Sequence, residues 1–126
     1  MIVVDTHALF WWVREPGRLS ARAKREIDTA HAVGVPSIVF WEIALLARRR
    51  RIDLGSDVRG WVREILSIPR IEPLPLTPDI AVRADELSLH PDPADRFIVA
   101  TALEHHRPLV TRDRLIIDAG VVRAIW

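Results

Sequence analysis

The sequence predicts an α/β fold, a parallel sheet covered on both faces by helices. Short apolar runs alternate along the chain with longer stretches of helical periodicity. The first run, Ile2-Val3-Val4, is apolar throughout, as a strand buried on both faces must be. Helix-start signals recur between the runs, at Ser20, Thr77-Pro78 and Asp92-Pro93. Right-handed crossovers would bring every strand-to-helix turn to one edge of the sheet. Ligands of open α/β sheets collect at that edge.

Each element has a local reason. Ala8-Leu9-Phe10-Trp11-Trp12-Val13 is a short apolar helix, closed by Pro16-Gly17. Ser20 caps a helix running to about Thr29 or Ala30, with Ala23 and Ile27 on its inner face. Val33-Gly34-Val35 is a second strand. A helix from Ile38 to about Arg50 follows Pro36-Ser37, and Arg48 to Arg51 lie at its end, where cations favour the helix dipole. Leu54-Gly55-Ser56 is a turn. Val58, Trp61, Val62, Ile65 and Leu66 make the stripe of an amphipathic helix. Ile71 to Leu76 holds two prolines, which suits an edge strand. The helix begun at Thr77-Pro78 extends to about Leu89, and that begun at Asp92-Pro93 to about His105. Pro108 to Thr111 is a further strand and Val121-Val122 a weak last one.

The 126 residues fit one domain, spanning 1–126, and 49% hydrophobic composition can fill its core. No apolar run approaches the ~18 residues of a membrane span, and no basic stretch precedes an apolar one as in a signal peptide. The chain has no Cys, which excludes disulfides and thiolate metal sites and is compatible with a cytoplasmic protein. A net charge of +1 rules out a global basic field. The cations are nearly all Arg, which suits bidentate phosphate contacts; a GC-rich genome would give the same bias.

Four acids are placed unusually. Asp5 follows the first strand and Asp113 a later one, so parallel neighbours would set both at one sheet edge. Glu42 has Ile38, Leu45 and Leu46 as helical neighbours, an apolar stripe. Asp95 lies in a first helical turn above Ile98 and Val99. A buried ionised carboxylate costs several kcal/mol, roughly, unless it is paired or metal-bound. Simpler roles exist for each: helix cap for Asp5 and Asp92, dipole partner for Asp95, turn residue for Asp113, salt bridge for Glu42. Taken together, four such acids with no lysine near them favour a hard-cation site of oxygen ligands, suited to Mg²⁺ or Mn²⁺. His7 and His90 stand near the acids but in no metal-ligand spacing. No phosphate-binding glycine loop, nucleophile elbow or receiver-type acidic pair is present.

With those residues in view, the chain resembles the PIN-domain family, specifically its VapC-type toxins. The resemblance spans the whole chain. It is carried by Val4-Asp5-Thr6-His7, Trp41-Glu42-Ile43-Ala44, His90-Pro91-Asp92-Pro93-Ala94-Asp95-Arg96-Phe97-Ile98-Val99-Ala100 and Leu109-Val110-Thr111-Arg112-Asp113. It implies a three-layer α/β/α sandwich and a Mg²⁺- or Mn²⁺-dependent endoribonuclease, the toxin of a toxin–antitoxin pair. It maps the family's acidic quartet onto Asp5, Glu42, Asp95 and Asp113, preferring Asp95 to Asp92. It also implies a homodimer and a cognate antitoxin protein.

Within that reading Asp5, Asp95 and Asp113 are the expected metal ligands. Glu42 would bind a second ion or orient the attacking water, and Thr6 and Thr111 are candidate contacts to water or phosphate. Two other functions remain in view: a module that binds RNA or a partner without cutting, and a metal-dependent nuclease acting on DNA. Trp41 and Trp61 are expected as anchors of an apolar face on the helix pair Ile38–Arg50 and Val58–Leu66. Arg48, Arg49, Arg50 and Arg51 are expected to hold the RNA backbone, one or two of them reaching the rim of the acidic pocket, against the simpler role of closing a helix end.

Overall fold

The computed structural model describes Met1–Trp126. Its centre is a five-stranded, all-parallel sheet in the order β3-β2-β1-β4-β5. The strands are β1 (Ile2–Val4), β2 (Val33–Pro36), β3 (Ile71–Leu74), β4 (Leu109–Val110) and β5 (Ala124–Ile125). The helices between them are α1 (Thr6–Arg14), α2 (Ala21–Thr29), α3 (Ser37–Arg48), α4 (Val58–Leu66), α5 (Pro78–Glu86), α6 (Pro93–Glu104) and α7 (Arg114–Ala119). A single 3₁₀ turn, Pro16–Arg18, links α1 to α2.

Every strand of the sheet is short, so burial, not length, defines it. Ile2, Val3 and Val4 are all buried, as are Val33 to Pro36 and both residues of β4. Helices therefore cover both faces, which is the α/β/α layering. Gly34 in β2 has a packing reason: a Cβ there would stand 2.8 Å from Leu74 Cδ1 and 3.0 Å from Met1 Sδ. β3 lies at the edge, and its Pro73 is tolerated there because one side of the strand needs no hydrogen-bond donors.

Chain order and strand order reverse at one point. The chain steps from β1 outward to β2 and β3, then returns to the other side of β1 for β4 and β5. The gap above the carboxyl ends of β1 and β4 is the switch point of this sheet, where the helices that follow them diverge and leave a crevice.

Several expectations need correction. The last strand is Ala124–Ile125, not Val121-Val122, because Leu109 and Val110 pair with those two residues. Between β4 and β5 lies α7, which the sequence did not suggest; it is six residues long and carries no apolar stripe. Helix α3 ends at Arg48: Arg49 is its C-cap and Arg50 turns to φ 55°, so the helix stops short of the expected Arg50. Its buried residues are Val39 and Ile43, while Ile38, Leu45 and Leu46 are half-exposed. Helix α5 stops at Glu86, and β3 at Leu74. Trp61 is 2% exposed and packs in the core, so it anchors no surface, whereas Trp41 is 56% exposed.

Candidate active site

The four singled-out acids line one cleft of about 400 Å³ at the switch point. Asp5 reaches it from the end of β1, Glu42 from the middle of α3, Asp95 from the first turn of α6, and Asp113 from the residue that opens α7. Asp92 and Thr6 also face the cleft, and His7, Trp11 and Arg112 form its rim.

Local backbone chemistry explains why these side chains hold their places. Asp5 is the N-cap of α1, its Oδ1 accepting from Ala8 N–H at 2.8 Å. Asp113 is the N-cap of α7, accepting from Leu115 and Ile116 N–H at 2.8 and 3.3 Å. Asp92 caps α6 by accepting from Asp95 N–H at 3.0 Å. The capping roles weighed against a functional one are thus real, and they coexist with a place in the cleft. Three helix N-termini converge here, and their partial positive charge favours carboxylates. Glu42 accepts a hydrogen bond from the Thr6 hydroxyl. Thr111 is wholly buried; its hydroxyl accepts from Asp113 N–H at 3.1 Å and stabilises the charged form of Asp5. Thr111 therefore braces the Asp5 carboxylate and the backbone of Asp113.

His90 is the residue that sequence reasoning passed over. Its Nε2 lies 2.7 Å from Asp95 Oδ2, and its Nδ1 is buried without a partner. Ligand atoms of His90, Asp95 and Asp113 lie within 4.8 Å of one another; Asp5 and Glu42 stand outside that tightest group. The only signal in the sequence is position, since His90 precedes the capping Asp92 by two residues. What brings it inward is Arg96. This guanidinium donates to the carbonyls of Ala84, Leu87, Leu89 and His90, tying the α5–α6 connection to α6.

The electrostatics are those of a site short of positive charge. Burial pushes the Asp5 carboxyl up to about 6, opposed by its bonds from Thr111 and Ala8 and reinforced by repulsion from Glu42 and Asp113. Burial likewise pushes Asp95 up to about 6, opposed by His90 and reinforced by Asp92, Asp113 and Glu42. No ion pair to an arginine or lysine reaches any of the four acids. Clustered oxygen donors with raised proton affinity and no cationic partner fit a hard divalent cation, which would replace the protons.

Comparison with known proteins gives the family. The PIN domain family model matches residues 2–121. The chain belongs to the PIN-domain family. Its kinship lies with the VapC-type members. This PIN domain is 39% identical over 115 residues to Ribonuclease VapC22 of Mycobacterium tuberculosis (strain ATCC 25618 / H37Rv), a match covering 90% of this chain and 87% of that protein. Its fold matches VapBC2 from Rickettsia felis, solved bound to a promoter DNA fragment, with a TM-score of 0.71 at 16% identity over 98% of this chain and 97% of that one. It also matches M. tuberculosis VapC20, described as a sarcin-ricin loop cleaving toxin, with a TM-score of 0.70 at 20% identity over 98% of both chains. No helix of this PIN domain is long and apolar enough to cross a membrane.

Proposed function

We propose that this PIN domain is a metal-dependent endoribonuclease and the toxin of a toxin–antitoxin pair. The observation that carries the reading is the convergence of Asp5, Glu42, Asp95 and Asp113 in one cleft at the switch point of the sheet. The kinship to a protein named as a ribonuclease supports RNA as the substrate. Asp5, Asp95 and Asp113 hold the cation, Mg²⁺ or Mn²⁺, with His90 fixing the Asp95 carboxylate. The cation supplies the charge neutralisation and water activation that phosphodiester hydrolysis needs. Glu42, steadied by the Thr6 hydroxyl, accepts a proton from the attacking water or orients it. The buried Thr111 keeps Asp5 and Asp113 at fixed separation. Exposed Trp41, on a helix flanked by half-exposed Ile38, Leu45 and Leu46, is the face we assign to the antitoxin or to a second copy of the chain.

The reading is tested with purified protein, a fluorescent single-stranded RNA, and either Mg²⁺, Mn²⁺ or a chelator. Cleavage should require the cation; equal cleavage in chelator would refute a metal nuclease. Metal should also raise the melting temperature, because a ligand that binds only the folded state stabilises it by about 2.7 kcal/mol at 100 times Kd. Asp95→Asn should remove most of that rise and Asp92→Asn little of it. The opposite pattern in a thermal-shift titration would move the ligand role to Asp92.

A further inference from the structure

The acidic cleft does not end at its own rim. His7 and Trp11 also line a second cleft of about 490 Å³, whose other walls carry Arg14, Arg18 and Arg51. The two clefts therefore share the His7–Trp11 edge as a common wall, where the rings stand 5.3 Å apart. Two guanidinium groups approach the Trp11 ring, Arg18 at 5.1 Å and Arg112, which also lines the acidic cleft, at 5.8 Å. His7, Trp11 and Arg14 occupy successive turns of α1, so the path from the acids to Arg14 rises roughly 10 Å.

The charge changes sign along this path. Arg14, Arg51 and Arg112 are exposed and lie within salt-bridge distance of no carboxylate. Arg18 is paired to Glu15 at 3.4 Å. The other acid of the second cleft, Asp53, turns its carboxylate into its own loop, accepting from Gly55 N–H at 2.9 Å. Two uncommitted guanidinium groups thus line a cleft that adjoins the acidic one across a shared wall.

We propose that this second cleft is a phosphate subsite: Arg14 and Arg51 each hold one phosphodiester of the same RNA strand, beside the bond being cut. The inference rests on the ribonuclease reading of the acidic cleft. Of the expected run Arg48 to Arg51 it keeps Arg51 alone, and it adds Arg14. Arg49 closes α3 and lines neither cleft; Arg50, at φ 55°, lines a different one, between α3 and α4. The contact answers a physical need. Four carboxylates repel an approaching polyanion, and fixed cations one or two nucleotides away hold the strand while leaving the acids free for metal.

The experiment measures binding of a short fluorescein-labelled single-stranded RNA to metal-free, full-length protein from ~50 to ~200 mM salt. Each lost phosphate contact should flatten the slope of log affinity against log salt by about 0.7. That corresponds to roughly 5-fold weaker binding per contact at about 0.1 M salt, or about 25-fold for Arg14→Gln with Arg51→Gln. Arg49→Gln should change neither quantity. Arg14 also packs against the turn at Gly55, whose Cβ would meet its Nη2 at 3.1 Å. Arg14→Lys and the Arg51→Gln single variant separate charge from packing: the lysine should keep most of the slope, and the Arg51 variant alone should lose about 0.7. Mn²⁺ affinity, read by calorimetry, should be the same in all variants. Slopes parallel to wild type in the double variant, with wild-type RNA cleavage intact, would overturn the subsite. Absence of cation-dependent RNA cleavage by wild type would instead overturn the ribonuclease reading.

Discussion

Asp5→Asn should reduce RNA cleavage by roughly 10³-fold or more, since metal-assisted charge stabilisation of the transition state amounts to several kcal/mol. The same variant should be more stable than wild type without metal. Asn accepts the Ala8 N–H bond as well as Asp does, so the cap of α1 survives. What disappears is a carboxylate that the fold would rather keep protonated. Its affinity for a proton is raised from the ordinary 3.8 to about 6. The folded state therefore holds this proton more tightly than the unfolded chain does. Its contribution is fully present below about pH 4, falls as pH rises toward 6, and stays lost above. A shift of this size corresponds to about 3 kcal/mol. Asp95 works in the same direction. Metal-free wild type should thus lose stability between pH 4 and 6, and Asp5→Asn should lose less. Denaturant melts at pH 4 and pH 7.5 measure both. A variant less stable than wild type at pH 7.5 would show that the carboxylate, not merely the cap, supports the fold.

Arg96→Met should damage both stability and activity. The guanidinium spans the carbonyls of Ala84, Leu87, Leu89 and His90, which include the open C-terminal end of α5. Methionine fills much of the volume and satisfies none of the carbonyls. Stranded, partly buried acceptors cost about 1–3 kcal/mol each, and they are not additive. A loss of about 2–4 kcal/mol follows, or roughly 10 °C in melting temperature for a chain of this length. Lysine should not rescue it, because one ammonium cannot reach a fan of carbonyls that a planar fork reaches. Activity measured well below the melting point should also fall, because the released connection carries His90 away from Asp95. A variant that melts early but cleaves RNA normally in the cold would confine Arg96 to stability.

How far the sequence carried depended on whether a feature was local. Ser20, Thr77 and Asp92 cap the helices they were expected to cap, and α4 occupies the predicted span Val58–Leu66. Caps and stripes are written in neighbouring residues. β5 was misplaced because a two-residue strand has no pattern of its own, and pairing with β4 alone selects Ala124–Ile125. α7 escaped because its order comes from the Asp113 cap and one buried side chain, Ile116. Trp61 and Trp41 look alike in sequence; helix phase put one in the core and left the other in solvent. Of the proposed site, the acids were visible as residues out of keeping with their surroundings. Their common cleft was visible only through the expected parallel sheet. His90 was hidden because a side chain two residues before a cap has no defined direction until Arg96 gives it one. The second cleft was hidden because α1, the 3₁₀ turn and the segment after α3 meet there from three distant parts of the chain.

The capping role of Asp5 and Asp113 also limits how this protein can drift. Genetic decay of an unused enzyme usually strikes its reactive residues first, since nothing else depends on them. Here the helices α1 and α7 depend on two of them for their first turns. Most replacements at those positions would remove the chemistry and also weaken the helix start by about 0.5–2 kcal/mol. Asparagine, one atom type away, keeps the start and discards the charge. A library of Asp5 and Asp113 variants sorted for soluble protein alone should therefore return asparagine and serine well ahead of alanine or leucine. A lineage that abandons the reaction but keeps the protein has the same narrow exit, and would leave a descendant whose amides stand where the carboxylates stood.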